Sequence, residues 1–99
     1  MKIWSYSRPF TFHGHSCEVT VTLTHSETIS SLYVDDLLVD EQSIKYIDGL
    51  TTFVHPLQTT SGVEAKVESG YFNWWNVGIA VTENGRVVYE SHPGEDLRY

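Results

Sequence analysis

From Cys17 to His25 the chain alternates strictly, with Cys17, Val19, Val21 and Leu23 falling on one face and Glu18, Thr20, Thr22 and Thr24 on the other. A period of two is what a strand with one buried face requires, and it is incompatible with the 3.6-residue period of an amphipathic helix. The same alternation returns at Val63, Ala65 and Val67 against Glu64, Lys66 and Glu68, and again at Val77, Ile79 and Val81 against Gly78 and Ala80. Residue choice agrees with it. Eleven Val, ten Thr, five Ile and thirteen aromatics stand against two Ala, a selection that favours pleated strands over helices.

Between these runs lie short-range turn signals. Asp35-Asp36 separates Ile29–Val34 from Leu37–Asp40, and Asn84-Gly85 separates the Val77 strand from Val87-Val88-Tyr89. Asp, Asn and Gly tolerate the positive φ that a two-residue hairpin demands. Arg8–Phe12 reads as a short strand with Pro9 marking an edge or first position, and His13-Gly14-His15-Ser16 reads as the turn after it. Thr51–His55 is another extended run, ended or pushed to an edge by Pro56, with Gln58–Gly62 as a polar loop. The expected fold is all-β: a small antiparallel sandwich, or a partly open barrel, of about seven to nine short strands with little or no helix. Residues 1–91 are expected to form one domain, with 92–99 as a polar carboxyl-terminal tail. No repeat is evident in the sequence.

Ninety-nine residues can remove roughly two-thirds of their unfolded surface from water, so a core forms without staples. Six Lys and Arg against 13 Asp and Glu give a net charge of −7, which repels phosphate backbones and anionic lipid and excludes nucleic acid and a membrane surface as expected partners. The lone cysteine, Cys17, excludes an intramolecular disulfide. The amino end lacks the apolar stretch of a secretory signal, which makes the cytoplasm the expected location.

The segments Phe10–Gly14, Cys17–Val21, Leu32–Asp36, Ile47-Asp48-Gly49, Val63–Gly70 and Val77–Tyr89 together resemble one sheet-rich unit of the Fas apoptotic inhibitory molecule family, over roughly residues 8 to 91. The resemblance implies a compact antiparallel β fold, intracellular residence and action by binding other proteins, with no catalytic residues to carry over. The chain departs from the family in having one such unit where members carry two, and in placing Asp36 where Gly is usual.

Three groups of residues invite a chemical reading. His13, His15 and Cys17 occupy alternate positions, which in an unbroken strand would place all three on one face around a zinc or copper ion, although Gly14 sits where the hairpin should turn and breaks that alternation. Cys17 lacks the glycine-rich or helix-start setting that would expose a thiolate, and its place in the apolar row reads as core. There is no Walker loop, Rossmann glycine fingerprint, calcium loop or CxxC pair, so neither an enzyme nor a bound cofactor is expected.

The third group is Tyr71-Phe72-Asn73-Trp74-Trp75-Asn76, with four large aromatics in six residues at the connection between two strands. Adjacent rings in an extended segment point to opposite faces, so not all of them fit one core. The structural alternative is that they plug an open end of the sheet layer. The functional reading makes Tyr71, Phe72, Trp74 and Trp75 a binding surface, first for a protein partner and second for a glycan, whose sugar faces stack on such rings. The expected function is therefore a non-enzymatic interaction domain; the alternatives are a carbohydrate-binding module on the same aromatics and a His/Cys metal-binding protein.

Overall fold

The computed structural model describes residues 2–24, 26–45, 50–69 and 75–91, all in strands and short turns. Eight strands follow in chain order: β1 (Lys2–Phe12), β2 (His15–Thr24), β3 (Thr28–Val34), β4 (Leu37–Ile44), β5 (Leu50–Gln58), β6 (Ser61–Ser69), β7 (Trp75–Glu83) and β8 (Arg86–Glu90). They form two four-stranded sheets, β1-β2-β3-β4 and β5-β6-β7-β8, with every pairing antiparallel. The all-β expectation is met. The chain divides into two compact units, Met1–Tyr46 and Ile47–Tyr99, each holding one sheet.

Each unit is a meander of hairpins, because the turns are too short to do anything else. His13-Gly14, Asp35-Asp36 and Asn84-Gly85 all have positive φ at both central residues, the geometry whose twist matches the flanking strands. Thr59-Thr60 has no positive φ, as befits β-branched residues, and the register slips by one residue beside it, between Pro56 and Gln58. Several boundaries read from the sequence therefore move. The turn after β1 is His13-Gly14 alone, with His15 and Ser16 already in β2, and the expected Gln58–Gly62 loop contracts to Thr59-Thr60. The strand expected at Arg8–Phe12 begins at Lys2.

In the first unit the buried face takes Phe10 and Phe12 from β1, Cys17, Val19, Val21 and Leu23 from β2, and Thr28, Ser30 and Leu32 from β3. The register explains the selection, since Phe10 pairs with Cys17, and Leu32 and Val21 lie opposite Val19 and Ser30 on the same face. In the second unit Phe53 and His55, Val63, Ala65 and Val67, and Val77, Ile79 and Val81 are buried. A Cβ on Gly62 would lie 3.1 Å from the His55 carbonyl oxygen, a tight contact that would press the start of β6 away from β5 by a few tenths of an ångström.

The two units repeat one device that the sequence hides. After the Asp35-Asp36 turn, Val34 pairs with Leu37 and Tyr33 with Leu38; Val39 is then extra, and Leu32 pairs with Asp40. After Asn84-Gly85, Glu83 pairs with Arg86 and Thr82 with Val87; Val88 is then extra, and Val81 pairs with Tyr89. The central pairings β2–β3 and β6–β7 carry no such irregularity, whereas each pairing that involves an end strand carries one. An extra residue twists an end strand and limits indiscriminate pairing along it.

Candidate functional site

The three groups singled out from the sequence fare differently. His13 sits in the turn with its ring stacked on Phe12, centroids 4.2 Å apart. His15 turns to the neighbouring hairpin, its Nδ1 2.7 Å from Asp35 Oδ2. Cys17 lies in the buried row with its thiol directed to the His15 carbonyl oxygen at 3.6 Å. The three do not converge, and among the described residues no group of three His, Cys, Asp or Glu side chains is arranged to hold a metal ion. The positive-φ turn at His13-Gly14 takes His13 out of the strand, while within β2 His15 is exposed and bonded to Asp35 and Cys17 is buried.

His15 and Asp35 instead form a clip between two turns. The Asp35 carboxylate accepts from His15 and from the Ser16 backbone N–H at 3.2 Å, while the Asp35 backbone N–H donates to the Ser16 carbonyl at 2.7 Å. The hydrogen bond from His15 holds the Asp35 carboxyl below its ordinary value, with the Ser16 amide adding to the effect. A carboxyl whose pKa is depressed by folding stabilises the folded state at pH above its unfolded-state value and loses that contribution as the pH falls through the folded value. Asp35→Asn is accordingly expected to narrow the gap in thermal melting temperature between pH 7 and pH 3, by lowering the pH 7 value; an unchanged gap in melts at the two pH values would show that the clip contributes nothing.

Burial pushes the Cys17 thiol up, and the Asp35 carboxylate pushes it further in the same direction. That is the opposite of what a nucleophilic cysteine needs, since the thiolate is the reactive form. Around this corner a groove of about 350 Å³ opens on the outer face of the first sheet, lined among others by Pro9, Glu18, Thr20, Tyr33 and Asp36. Thr20 donates to Glu18 at 3.3 Å, and its hydroxyl lies 3.5 Å from that of Ser7. The groove presents an aromatic ring, two carboxylates and hydroxyls, groups able to hydrogen-bond a hydroxylated ligand.

Of the four aromatics expected to form a binding surface, Tyr71, Phe72 and Trp74 lie outside the described residues. The backbone of Trp75 begins β7, opposite Ser69 in the register, and its side chain is likewise outside the description. The tail 92–99 also lies outside it.

The sequence reading passed over the two end strands that follow the tight turns. On β4, Leu37, Leu38 and Val39 are 69%, 51% and 52% exposed; on β8, Val87, Val88 and Tyr89 are 56%, 54% and 42% exposed. Among the described residues each of these strands has a paired strand on one side, β3 for β4 and β7 for β8. The signal was present as two runs of three apolar residues without alternation, each starting within a residue or two of a two-residue turn. Val39 and Val88 are the extra residues within these runs, and at each the alternation of faces along the strand shifts by one residue.

Among the described residues there is no helix long and apolar enough to cross a membrane. Comparison of the sequence with models of protein families and with curated proteins returns no match to either.

Proposed function

We propose that the chain is a cytoplasmic, non-enzymatic protein-binding module. The observation that carries this reading is the run Leu37-Leu38-Val39, three consecutive exposed apolar side chains on an end strand. A chain that leaves such a run in water gains free energy when a partner covers it, and an end strand also offers main-chain groups to an extended segment. The aromatic segment of Tyr71, Phe72, Trp74 and Trp75 is the second contact surface in this proposal, for the same physical reason. The resemblance to the Fas apoptotic inhibitory molecule family points the same way. A non-enzymatic role is supported by a cysteine that is buried and raised in pKa and by a His–Asp pair whose polar atoms already serve two turns. A single unpaired thiol fits a reducing compartment.

Carbohydrate recognition is the second reading, favoured by the groove beside Tyr33, where Glu18 and Thr20 supply acceptors and donors for sugar hydroxyls. Both readings meet one experiment, a capture from lysate of the organism that makes the protein, using wild type, Leu38→Lys and a Trp74→Ser/Trp75→Ser variant. The expected result is a protein partner retained by wild type and weakened tenfold or more by Leu38→Lys, with that variant's stability within about 0.5 kcal/mol of wild type because the site is exposed. Retention by Leu38→Lys with loss only in the tryptophan variant would transfer the site to the aromatic segment. No specific protein in any lane would remove the protein-binding reading and leave the glycan one.

A further inference from the structure

On the outer face of the first sheet one row crosses all four strands: Pro9 pairs with Glu18, Glu18 with Tyr33, and Tyr33 with Leu38. Residues directly across a ladder share a face, so a carboxylate, an aromatic ring and an exposed leucine stand side by side in that order. The groove of about 350 Å³ lies over this row; Asp36 of the adjoining turn joins its lining, which among the described residues includes no basic side chain. Thr20 donates to Glu18 Oε1 at 3.3 Å, which orients the carboxylate and leaves Oε2 to a ligand. The next row adds a third acid, since Ser31 pairs with Glu41 and donates to its carboxylate at 2.8 Å. The basic side chains nearest in sequence serve elsewhere: Arg8 pairs with Val19 in the inward row, and His15 is held by Asp35. We propose that this groove receives an arginine side chain of a partner protein. The source of that arginine rests on the protein-binding reading, and Leu38 at the end of the row joins the groove to the apolar run of β4.

Carboxylates beside a ring suit a flat cation. A guanidinium donates in a fork to a carboxylate while its face stacks on an aromatic ring, whereas an ammonium is a point charge without a face. It brings donors and no acceptor, the complement of ionised Glu18 and Asp36, which accept and do not donate. A sugar hydroxyl makes no such demand for two acids. The net charge of −7 draws a cationic partner in the same direction. The scaffold itself does not require these groups. In the second unit the corresponding row, again ending one residue before the extra residue of the end strand, is Pro56, Gly62, Thr82 and Val87. Glycine and threonine stand there where the first unit has a carboxylate and a ring, so the same meander forms without either.

Two peptides test the groove: acetyl-Ser-Leu-Arg-Leu-Ser-amide and its twin with neutral citrulline in place of arginine. Each is titrated into the isotope-labelled 99-residue chain and followed by the amide resonances. The arginine peptide is expected to bind about tenfold or more tightly than its twin, the scale of a charge-assisted pair, with shifts at Glu18, Thr20, Tyr33 and Leu38. Its advantage is expected to shrink as salt is raised. In Glu18→Gln/Asp36→Asn the two peptides are expected to bind alike; both replacements keep the side chain's shape, and asparagine tolerates the positive φ of position 36. Equal binding of the two peptides by wild type overturns the proposal, and shifts along Leu37–Val39 in that case leave the β4 surface standing. Arginine-dependent shifts at Glu18 and Tyr33 with none along Leu37–Val39 uphold the groove and count against the β4 surface instead. An arginine preference that survives the double replacement overturns the proposal. So does the absence of binding by either peptide, and a saturable response to maltotriose alone would then give the groove to the glycan reading.

Discussion

Phe53→Ala is expected to destabilise the protein by about 3–5 kcal/mol, the range for emptying a buried aromatic site. Phe53 is buried on β5 and faces Ala65 across the ladder, with Val63 and Val67 two residues to either side on β6. A methyl group opposite cannot swing into the space that the ring leaves, and the two valines are stiff at χ1, so the cavity persists and its cost adds to the lost transfer energy. Against a total of roughly 5–15 kcal/mol for a domain, such a loss takes a large share of the stability. A urea titration followed by circular dichroism measures it as a shift in midpoint with an unchanged slope. Amide exchange should rise first along β5 and β6. A loss under about 1 kcal/mol would mean that the site collapses around the smaller side chain, contrary to the packing described.

Leu32→Ala is the counterpart in the first unit, with an expected cost of about 2–5 kcal/mol. Leu32 is fully buried on β3, opposite Val19 on β2, and the other residues buried on its strand are Thr28, Ser30 and Ser31. It is thus the one large apolar side chain buried on that strand among the described residues, and small hydroxylated neighbours cannot refill its volume. The same titration applies, and amide exchange along β2 and β3 locates the damage. If Leu32→Ala and a control at an exposed position such as Leu38→Ala lowered the midpoint equally, the assignment of Leu32 to a sealed core would fail.

The strands most legible in the sequence are those with one face in the core and one in water. The rows Cys17-Val19-Val21-Leu23 and Val63-Ala65-Val67 are buried as their alternation requires, because burial on one face imposes a period of two on side-chain chemistry. The hairpins at Asp35-Asp36 and Asn84-Gly85 were equally legible, since positive φ is a local demand met by few residue types. The length of β1 was harder to see. Its Ser5 and Ser7 alternate with Tyr6 and Arg8, so the inward positions include a tyrosine and an arginine, and hydropathy alone does not mark those as facing a core. His13, His15 and Cys17 look like a ligand set when counted in sequence, but the His13-Gly14 turn takes His13 out of the strand, the Asp35 carboxylate holds His15, and Cys17 joins the core.

The sequence by itself determined that this chain would be antiparallel β, where the turns at Asp35-Asp36 and Asn84-Gly85 fall and which residues of β2, β6 and β7 face inward, because each of these depends on neighbours within a few residues. The tertiary structure decided that the strands separate into two sheets of four, that β4 and β8 are end strands, that Val39 and Val88 are extra residues, and that three apolar side chains stand in water on each of those strands. Those properties belong to a strand's partner rather than to the strand. Whether a run such as Leu37-Leu38-Val39 or Val87-Val88-Tyr89 is buried or presented depends on what pairs beyond it, and hydrogen bonding between strands is set by register and sheet order that no local pattern encodes.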